Sequence, residues 1–430
     1  MRILSLQSGT SADGIDVAVA DVTALDESDS PVVGMQPVLA RTVPWSPPLR
    51  ERLLAAVAGE ALTPAEFCEL DTLAGQEFAA VAVAAADAAR PGSGSAAGGI
   101  DLAVSHGQTL YHWVADGHAR GTLQIGEPAW ISEALDRPVL SNLRSADIAA
   151  GGEGAPLMGL FDRAWLAGEA ESSGRPVATV NLGGIANVQI VSPGGGLVAF
   201  DSGPANALID AVVARATDGR ETRDQDGALA SAGRVDERVL AELLAHPYFL
   251  AAPPKSTGRE TFDLAVVDRA VAAAGNAGGT SPALGDLVAT LTALTARTVA
   301  NAVRSATSVP PARAIVSGGG VHNPALMRAL TAVLGLHGIA VGTSDEWGVP
   351  ADDKESLLFA LVGFLSWHGI PADLPGTPAG AARVLGRLTL TPQTTLGPRL
   401  RGISGLIVAH STAADQTIAD QTIANPQEDR

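Results

Sequence analysis

Cysteine is nearly absent: the chain has one, Cys68, in 430 residues. That excludes an internal disulfide framework and any zinc site built from several thiolates. Positive charge is also short, with 28 Lys and Arg against 46 Asp and Glu and a formal net charge of −18. No basic run or basic amphipathic helix stands out, which argues against a general nucleic-acid binder, because counterion release needs clustered Lys and Arg. A phosphorylated ligand is not excluded, since backbone N–H groups and a metal can hold phosphate on an acidic protein. No apolar stretch reaches the roughly 18 residues that a membrane span needs. The N-terminus lacks the charged start, apolar core and cleavage site of a signal peptide. These absences lead us to expect a soluble, cytoplasmic protein.

Familiar nucleotide and hydrolase signatures are missing as well. There is no G-x-x-x-x-G-K-[ST], no G-x-G-x-x-G between a strand and a helix, no H-E-x-x-H and no G-x-S-x-G. Aromatic residues make up only 4%, while alanine and glycine are abundant, which by itself says little about function. What is present is globular in character: 46% hydrophobic and 17% charged residues, with a length that predicts two or three domains.

The first stretch reads as a hairpin. Ile3, Leu4 and Leu6 precede "SGTSADGID", and Ile15, Val17 and Val19 follow it in period-two alternation. Pro48–Ala58 and Pro64–Arg90 read as helices, the second with Thr63 as N-cap. Ile100–Ser105 reads as a short strand running into "SHGQT". Val177–Leu182, Gly183-Gly184 and Ile185–Val191 form a second hairpin, followed by a strand Leu197–Phe200 that ends at Asp201 and a helix Ala207–Ala216. Asp286–Ser305 is a strong helix, "RAIVSGGGVHNPALMRALTAVLG" is strand, glycine turn and helix, and a last helix begins near Asp352.

Several of these turns can carry chemistry. Glycines in the first turn let a ligand approach the backbone, and successive N–H groups there can form an anion nest. Thr10 and Ser11 add hydroxyls, and Asp13 and Asp16 are carboxylates that could hold a divalent cation. The plain reading of this turn is a hairpin tip in which Asp-Gly supplies the turn chemistry, and taken alone that reading is the stronger. Gly183, Gly184 and Asn187 make a second such turn, and Gly318, Gly319 and Gly320 a third; together they favour a nucleotide lying in a cleft between domains. Asp201, at a strand end, is placed as a general base, although it or Ser202 could instead cap the following helix. Arg144, in "SNLRSAD", suits an anionic substrate group. "PPKSTGRE" (253–260) reads equally as an anion-facing or a solvated loop. His106, His112 and His118 are spaced by six, which matches neither a helix face nor a known ligand pattern.

With those stretches in view, the chain resembles the anhydro-N-acetylmuramic acid kinases of bacterial cell-wall recycling. SGTSADGID, SHGQTLYH, TLQIGEPAWISE, DIAAGGEGAPL, VNLGGIANV, FDSGPANALID, HPYF, PPKSTGRE, GGGVHNPALM and TSDEWGVPADDKESLLFA occur in order over roughly residues 1–388. The resemblance implies a two-domain α/β actin-like ATPase (ribonuclease H-like) fold with an interdomain ATP cleft. It further implies that ATP, with Mg²⁺, phosphorylates O6 of 1,6-anhydro-N-acetylmuramic acid while water opens the anhydro ring, giving N-acetylmuramic acid 6-phosphate and ADP.

Carried over by residue, Gly9, Thr10, Ser11, Ala12, Asp13, Gly14, Ile15 and Asp16 match the ATP phosphate loop. Asp201 matches the general base that activates the attacking water. Arg144 and Glu355 match positions at the sugar, and Gly318–Gly320 the adenosine turn. Gln7 stands where the family usually has Met, Ala205 where it has a glycine, and Asn142 where Asp is common. The expected domains are 1–145 and 146–351, with the helix of 352–388 packing back on the first and 389–430 disordered. The family tends to form homodimers. Two other readings stand beside this one: a related kinase for another amino sugar, and an ATP-dependent switch of the actin or Hsp70 kind.

Overall fold

The apolar opening run folds as a strand buried along nearly its whole length, β1 (Arg2–Ser8). Such a near-continuous apolar run belongs in the middle of a sheet covered on both faces. It pairs antiparallel with β2 (Ile15–Ala24), which pairs antiparallel with β3 (Val32–Val43). On its other side β1 runs parallel to β4 (Leu102–Ala115), and β4 parallel to β6 (Val139–Ser141). β5 (His118–Ile125) hangs off β4 as a hairpin. The computed structural model describes residues 1–28, 31–90, 99–253, 255–258, 261–276, 281–392, 394 and 402–408.

The chain forms two units, Met1–Trp165 with Glu355–Arg430, and Leu166–Lys354. The second unit repeats the sheet of the first. β7 (Val177–Leu182), β8 (Ile185–Val191) and β9 (Leu197–Pro204) are antiparallel neighbours, and β10 (Arg313–Ser317) and β11 (Ala340–Thr343) follow in parallel on the far side of β7. Thus β3-β2-β1-β4-β6 and β9-β8-β7-β10-β11 share one order and one pattern of directions. This is the ribonuclease H-like arrangement, used twice.

In the first unit, successive residues of β1 face opposite layers. Leu4 and Leu6 pack on the helix Pro64–Ala88 through Leu70, Ala74, Phe78 and Ala82. Thr63 and Glu66 close a capping box at the start of that helix. Ser5 faces the other layer, where its Oγ donates to Ser356 O at 2.7 Å. There the helix Lys354–Trp367 comes so close that a Cβ on Gly363 would lie 2.5 Å from Val104 Cγ2. In the second unit, Ala296, Val299 and Val303 of the helix Leu284–Ser305 cover Val180, Leu182, Val188 and Val316.

Three sequence expectations change. The first unit runs on to Trp165 instead of ending at 145, because the loop carrying Gly154 is tied to Arg144 and Asp147. β4 continues through "SHGQTLYHWVA" instead of stopping at Ser105. Two of its buried polar residues are held in the strand by hydrogen bonds, Gln108 Nε2 donating to Gly9 O at 2.8 Å and His106 Nε2 accepting from Arg144 Nε at 2.9 Å. The tail from 389 is not wholly irregular: β12 (Arg387–Thr389) pairs with β6, and β13 (Gly405–Val408) pairs with β3. Residues 409–430 lie outside the described residues.

Candidate active site

In the first unit the candidate residues lie at the C-terminal end of β1 and at a β-bulge beside it, and in the second Asp201 lies at a β-bulge between β8 and β9. In the first unit, β1 leads into the turn at Gly9–Gly14. Gln108 holds Gly9 O, Ser8 Oγ donates to Gly14 O at 2.7 Å, and Trp45 Nε1 donates to Ser8 Oγ at 3.0 Å. Arg50 Nε donates to Ala12 O at 2.9 Å. Gly14 has no room for a side chain, since a Cβ would sit 2.8 Å from Val43 O. The turn is therefore braced from behind while Gly9, Thr10, Ser11 and Asp13 stay exposed. Ala12 and Ile15, named with the loop from the sequence, are fully buried in the core, and the Ala12 N–H and C=O are taken up by Gly9 O and Arg50 Nε.

Asp16 lies at the start of β2. It accepts from Thr42 Oγ1 at 2.6 Å and from Gln7 Nε2 at 3.3 Å. Burial raises its pKa, and those two hydrogen bonds pull against the rise. The same Gln7 nitrogen donates to Glu355 Oε2 at 3.1 Å. One buried amide thus spans a carboxylate of the turn and the carboxylate expected at the sugar. Gln7→Met installs the residue usual in the family and removes both bonds. A hydrogen bond to a charged group contributes about 1.5 kcal/mol or somewhat more. The expected result is a KM for the sugar raised roughly tenfold with saturated turnover kept; an unchanged KM would show that the amide only fills space.

The bulge in the first unit falls on His106: Leu6 pairs with Ser105 and Gln7 with Gly107, leaving His106 unpaired in the ladder. Gly107 makes this turn at φ +79°, where a Cβ would lie 2.6 Å from Ile125 O. His106 is buried, packs against Phe359 with ring centroids 5.0 Å apart and the rings tilted by 36°, and meets Arg144 Nε at 2.9 Å through Nε2. A guanidinium cannot accept, so Nε2 is the acceptor and the ring proton sits on Nδ1, 3.3 Å from Gly107 O. Burial, and then the Arg144 charge, press the His106 pKa down from 6.5 to about 3. Arg144 Nη1 donates to Gly154 O at 2.8 Å. Burial lowers the Arg144 pKa to about 10, with the Glu355 carboxylate opposing that fall.

This histidine gives folding a pH dependence of definite sign. Its folded pKa lies below the unfolded 6.5, so as pH falls the unfolded chain takes up the proton first and the folded state loses relative stability. The loss begins near 6.5 and continues toward about 3. Between pH 8 and 5 it amounts to roughly 2 kcal/mol. Denaturant unfolding at both pH values checks this: His106→Gln should remove that part of the decline, and identical declines would count against it. Of the other two histidines named from the sequence, His118 places Nδ1 at 2.9 Å from Glu153 Oε1, and His112 has its pKa lowered by burial and then by the Arg144 charge. No group of metal-ligating side chains forms among the described residues.

In the second unit the bulge lies beside Asp201. Ala186 pairs with Gly203 and Asn187 with Asp201, so Ser202 is the extra residue, and its Oγ turns back to Ala186 O at 3.1 Å. Asp201 Oδ1 accepts from Asn187 Nδ2 at 2.9 Å. Its Oδ2 accepts from Ser256 Oγ at 2.8 Å and from Thr257 N at 2.9 Å. Its backbone is held too, N–H to Lys255 O at 3.0 Å and C=O from Tyr248 Oη at 2.7 Å. Burial, then the Asp201 charge, raise the Tyr248 pKa, which keeps that hydroxyl a donor. Asp201 caps no helix. The N–H groups of Ala205, Asn206 and Ala207 go to the carbonyls of Gly183 and Gly184.

Other named residues also find their places. Asn187, grouped with the nucleotide from the sequence, spends its amide on Asp201. Gly318 turns at φ +83° with no room for a side chain against Asn181 and Leu182, and a Cβ on Gly320 would lie 2.5 Å from Leu182 Cβ. Gly319 alone of the three faces open space. The sequence reading missed His106 as a partner of Arg144, and Ser256 and Thr257 as partners of Asp201, though "PPKSTGRE" was marked. Arg259 of that stretch lies outside the described residues.

The family described as anhydro-N-acetylmuramic acid kinase matches residues 1–391. An anhydro-N-acetylmuramic acid kinase of Rhodococcus erythropolis strain PR4 is 44% identical over 413 residues, 94% of this chain and 97% of the relative. That of Streptomyces coelicolor is 47% identical over 390 residues, 90% and 94% of the two chains. Among solved structures, the activator of the 2-hydroxyisocaproyl-CoA dehydratase from Clostridium difficile with bound ADPNP covers 85% of this chain and 94% of its own. It does so at 11% identity and a TM-score of 0.36, too distant to carry weight. With one family matched across nearly every element described above, the chain belongs to the anhydro-N-acetylmuramic acid kinases.

Proposed function

We propose that the protein uses ATP, Mg²⁺ and one water to open 1,6-anhydro-N-acetylmuramic acid and phosphorylate it at O6, in peptidoglycan recycling. The observation that carries this is the state of Asp201. An ionised carboxylate offers about four acceptor positions, and three are filled by donors that fix its orientation. One remains for a water proton. Asp201 takes that proton as the water oxygen bonds to the anomeric carbon. The bond from that carbon to O6 breaks, its electron pair stays on O6, and O6 then bonds to the γ-phosphorus as ADP departs.

Phosphoryl transfer depends mainly on positioning and charge stabilisation. The backbone of Gly9–Gly14, with Thr10 and Ser11, is assigned to the phosphates, and Gly318–Gly320 to the adenosine. Arg144 and Glu355 are assigned to the sugar. Mg²⁺ in kinases is commonly held by one or two carboxylates, waters and the phosphates themselves. Asp13 and Asp16 fit that donor set: Asp13 is exposed on the turn, Asp16 follows at the start of β2, and they are close enough for the Asp13 charge to raise the Asp16 pKa. When bound, the ion would neutralise phosphate charge.

The test is ADP release from ATP with purified 1,6-anhydro-N-acetylmuramic acid, N-acetylmuramic acid or N-acetylglucosamine. Release with the anhydro sugar alone is expected. Equal release with all three, or none with the first, would sink the reading.

A further inference from the structure

The β3 edge of the first sheet is protected in two different ways along its length. Over its second half, Pro37 removes a backbone donor, and the register slips so that Val19 pairs with Leu39 and Ala20 with Pro37, leaving Val38 bulged. Exposed Arg41 and Thr42 follow. Proline, bulges and charge are the usual means by which a sheet edge refuses another strand. The first half, Val32-Val33-Gly34-Met35, has none of them. It is apolar, uncharged and in regular register with β2.

That unguarded half is where β13 lies. Gly405, Leu406, Ile407 and Val408 pair in parallel with Val32, Val33, Gly34 and Met35, and Ser404 N donates to Pro31 O at 2.8 Å. Leu406 and Val408, on one face of the strand, are only 4% and 7% exposed. These residues lie beyond the part of the chain that the family match covers. We propose that the Val32–Met35 edge is a strand-accepting surface, that residues 402–408 are its occupant in the same chain, and that this occupancy keeps it from taking the same segment of a second copy. The partner it fits is an extended apolar segment adding in parallel. Main-chain hydrogen bonds would hold such a strand, and two alternate apolar side chains would select it. Tethering favours the chain's own segment over a free one.

Hydrogen exchange on the full chain tests this first. The amides of Val32–Met35 should be protected like those of β1; free exchange there overturns the proposal. The full-length double variant Leu406→Lys, Val408→Lys should exchange at least tenfold faster at those residues, with the amides of β7 and β8 unchanged. A fluorescein-labelled peptide of residues 402–408, standing for the segment of a second copy, should bind the variant and not the unaltered chain, and the same peptide with the two lysines should bind neither. Exchange and peptide binding equal to those of the unaltered chain would overturn the proposal. Kinase turnover kept in the variant separates edge release from general unfolding.

Discussion

Asp201→Asn is expected to fold as the parent does and to lose turnover by about three orders of magnitude, within the range for removal of a general base. The fold should survive because the amide is isosteric and its neighbours can adapt. The new carbonyl can stay on the side of Ser256 Oγ and Thr257 N. The new NH₂ would then face Asn187 Nδ2, and Asn187 can present its own carbonyl by an amide flip. The net change in stability is therefore expected to stay within about 1 kcal/mol. Turnover falls because an amide cannot take up the water proton. ADP release and thermal unfolding, measured side by side, check both halves. Turnover above a tenth of the parent's would remove Asp201 from the role of base.

The second large effect is expected at Arg144. Lysine keeps the charge but not the planar fork that reaches His106 Nε2 and Gly154 O together. An ammonium at the same place can satisfy one of these and leaves the other a buried acceptor without a partner. Such a loss costs about 1–3 kcal/mol. Arg144→Lys should therefore raise the KM for the sugar by about tenfold to a hundredfold. Calorimetric affinity for ADP should not change. A sugar KM equal to the parent's would make Arg144 a scaffold residue; a fall in ADP affinity alone would move it to the nucleotide.

Much of this was legible in the sequence where local pattern and function coincide. The hairpin of residues 2–24, the hairpin 177–191 and the strand that begins at Leu197 follow from period-two alternation and glycine turns, although that strand runs through Asp201 to Pro204 instead of ending there. Ordered family motifs then gave those turns roles that their spacing alone left open. What was hidden depends on distance and register. His106 reaches Arg144 because one extra residue slips the ladder, and alternation cannot reveal a bulge in advance. Ser256 and Thr257 are separated from Asp201 by a helical stretch, so only the fold brings them to its carboxylate. β4 looked finished at Ser105 because polar residues follow it, yet their partners lie in β1's turn and beside Arg144. β13 is four residues in a polar tail, and only the bare edge of β3 makes it a strand.

The division of the chain also sets an order of assembly. Leu166–Lys354 is a continuous segment, whereas the first unit is split, with its closing helix arriving only after that segment has been made. At the usual pace of synthesis the interval is on the order of ten seconds or more. During it, the sheet face of Ile3, Leu102 and Val104 waits for Gly363 and its neighbours. The amino-terminal half thus emerges from the ribosome first and is finished last, and aggregation during synthesis is most to be expected from that uncovered face.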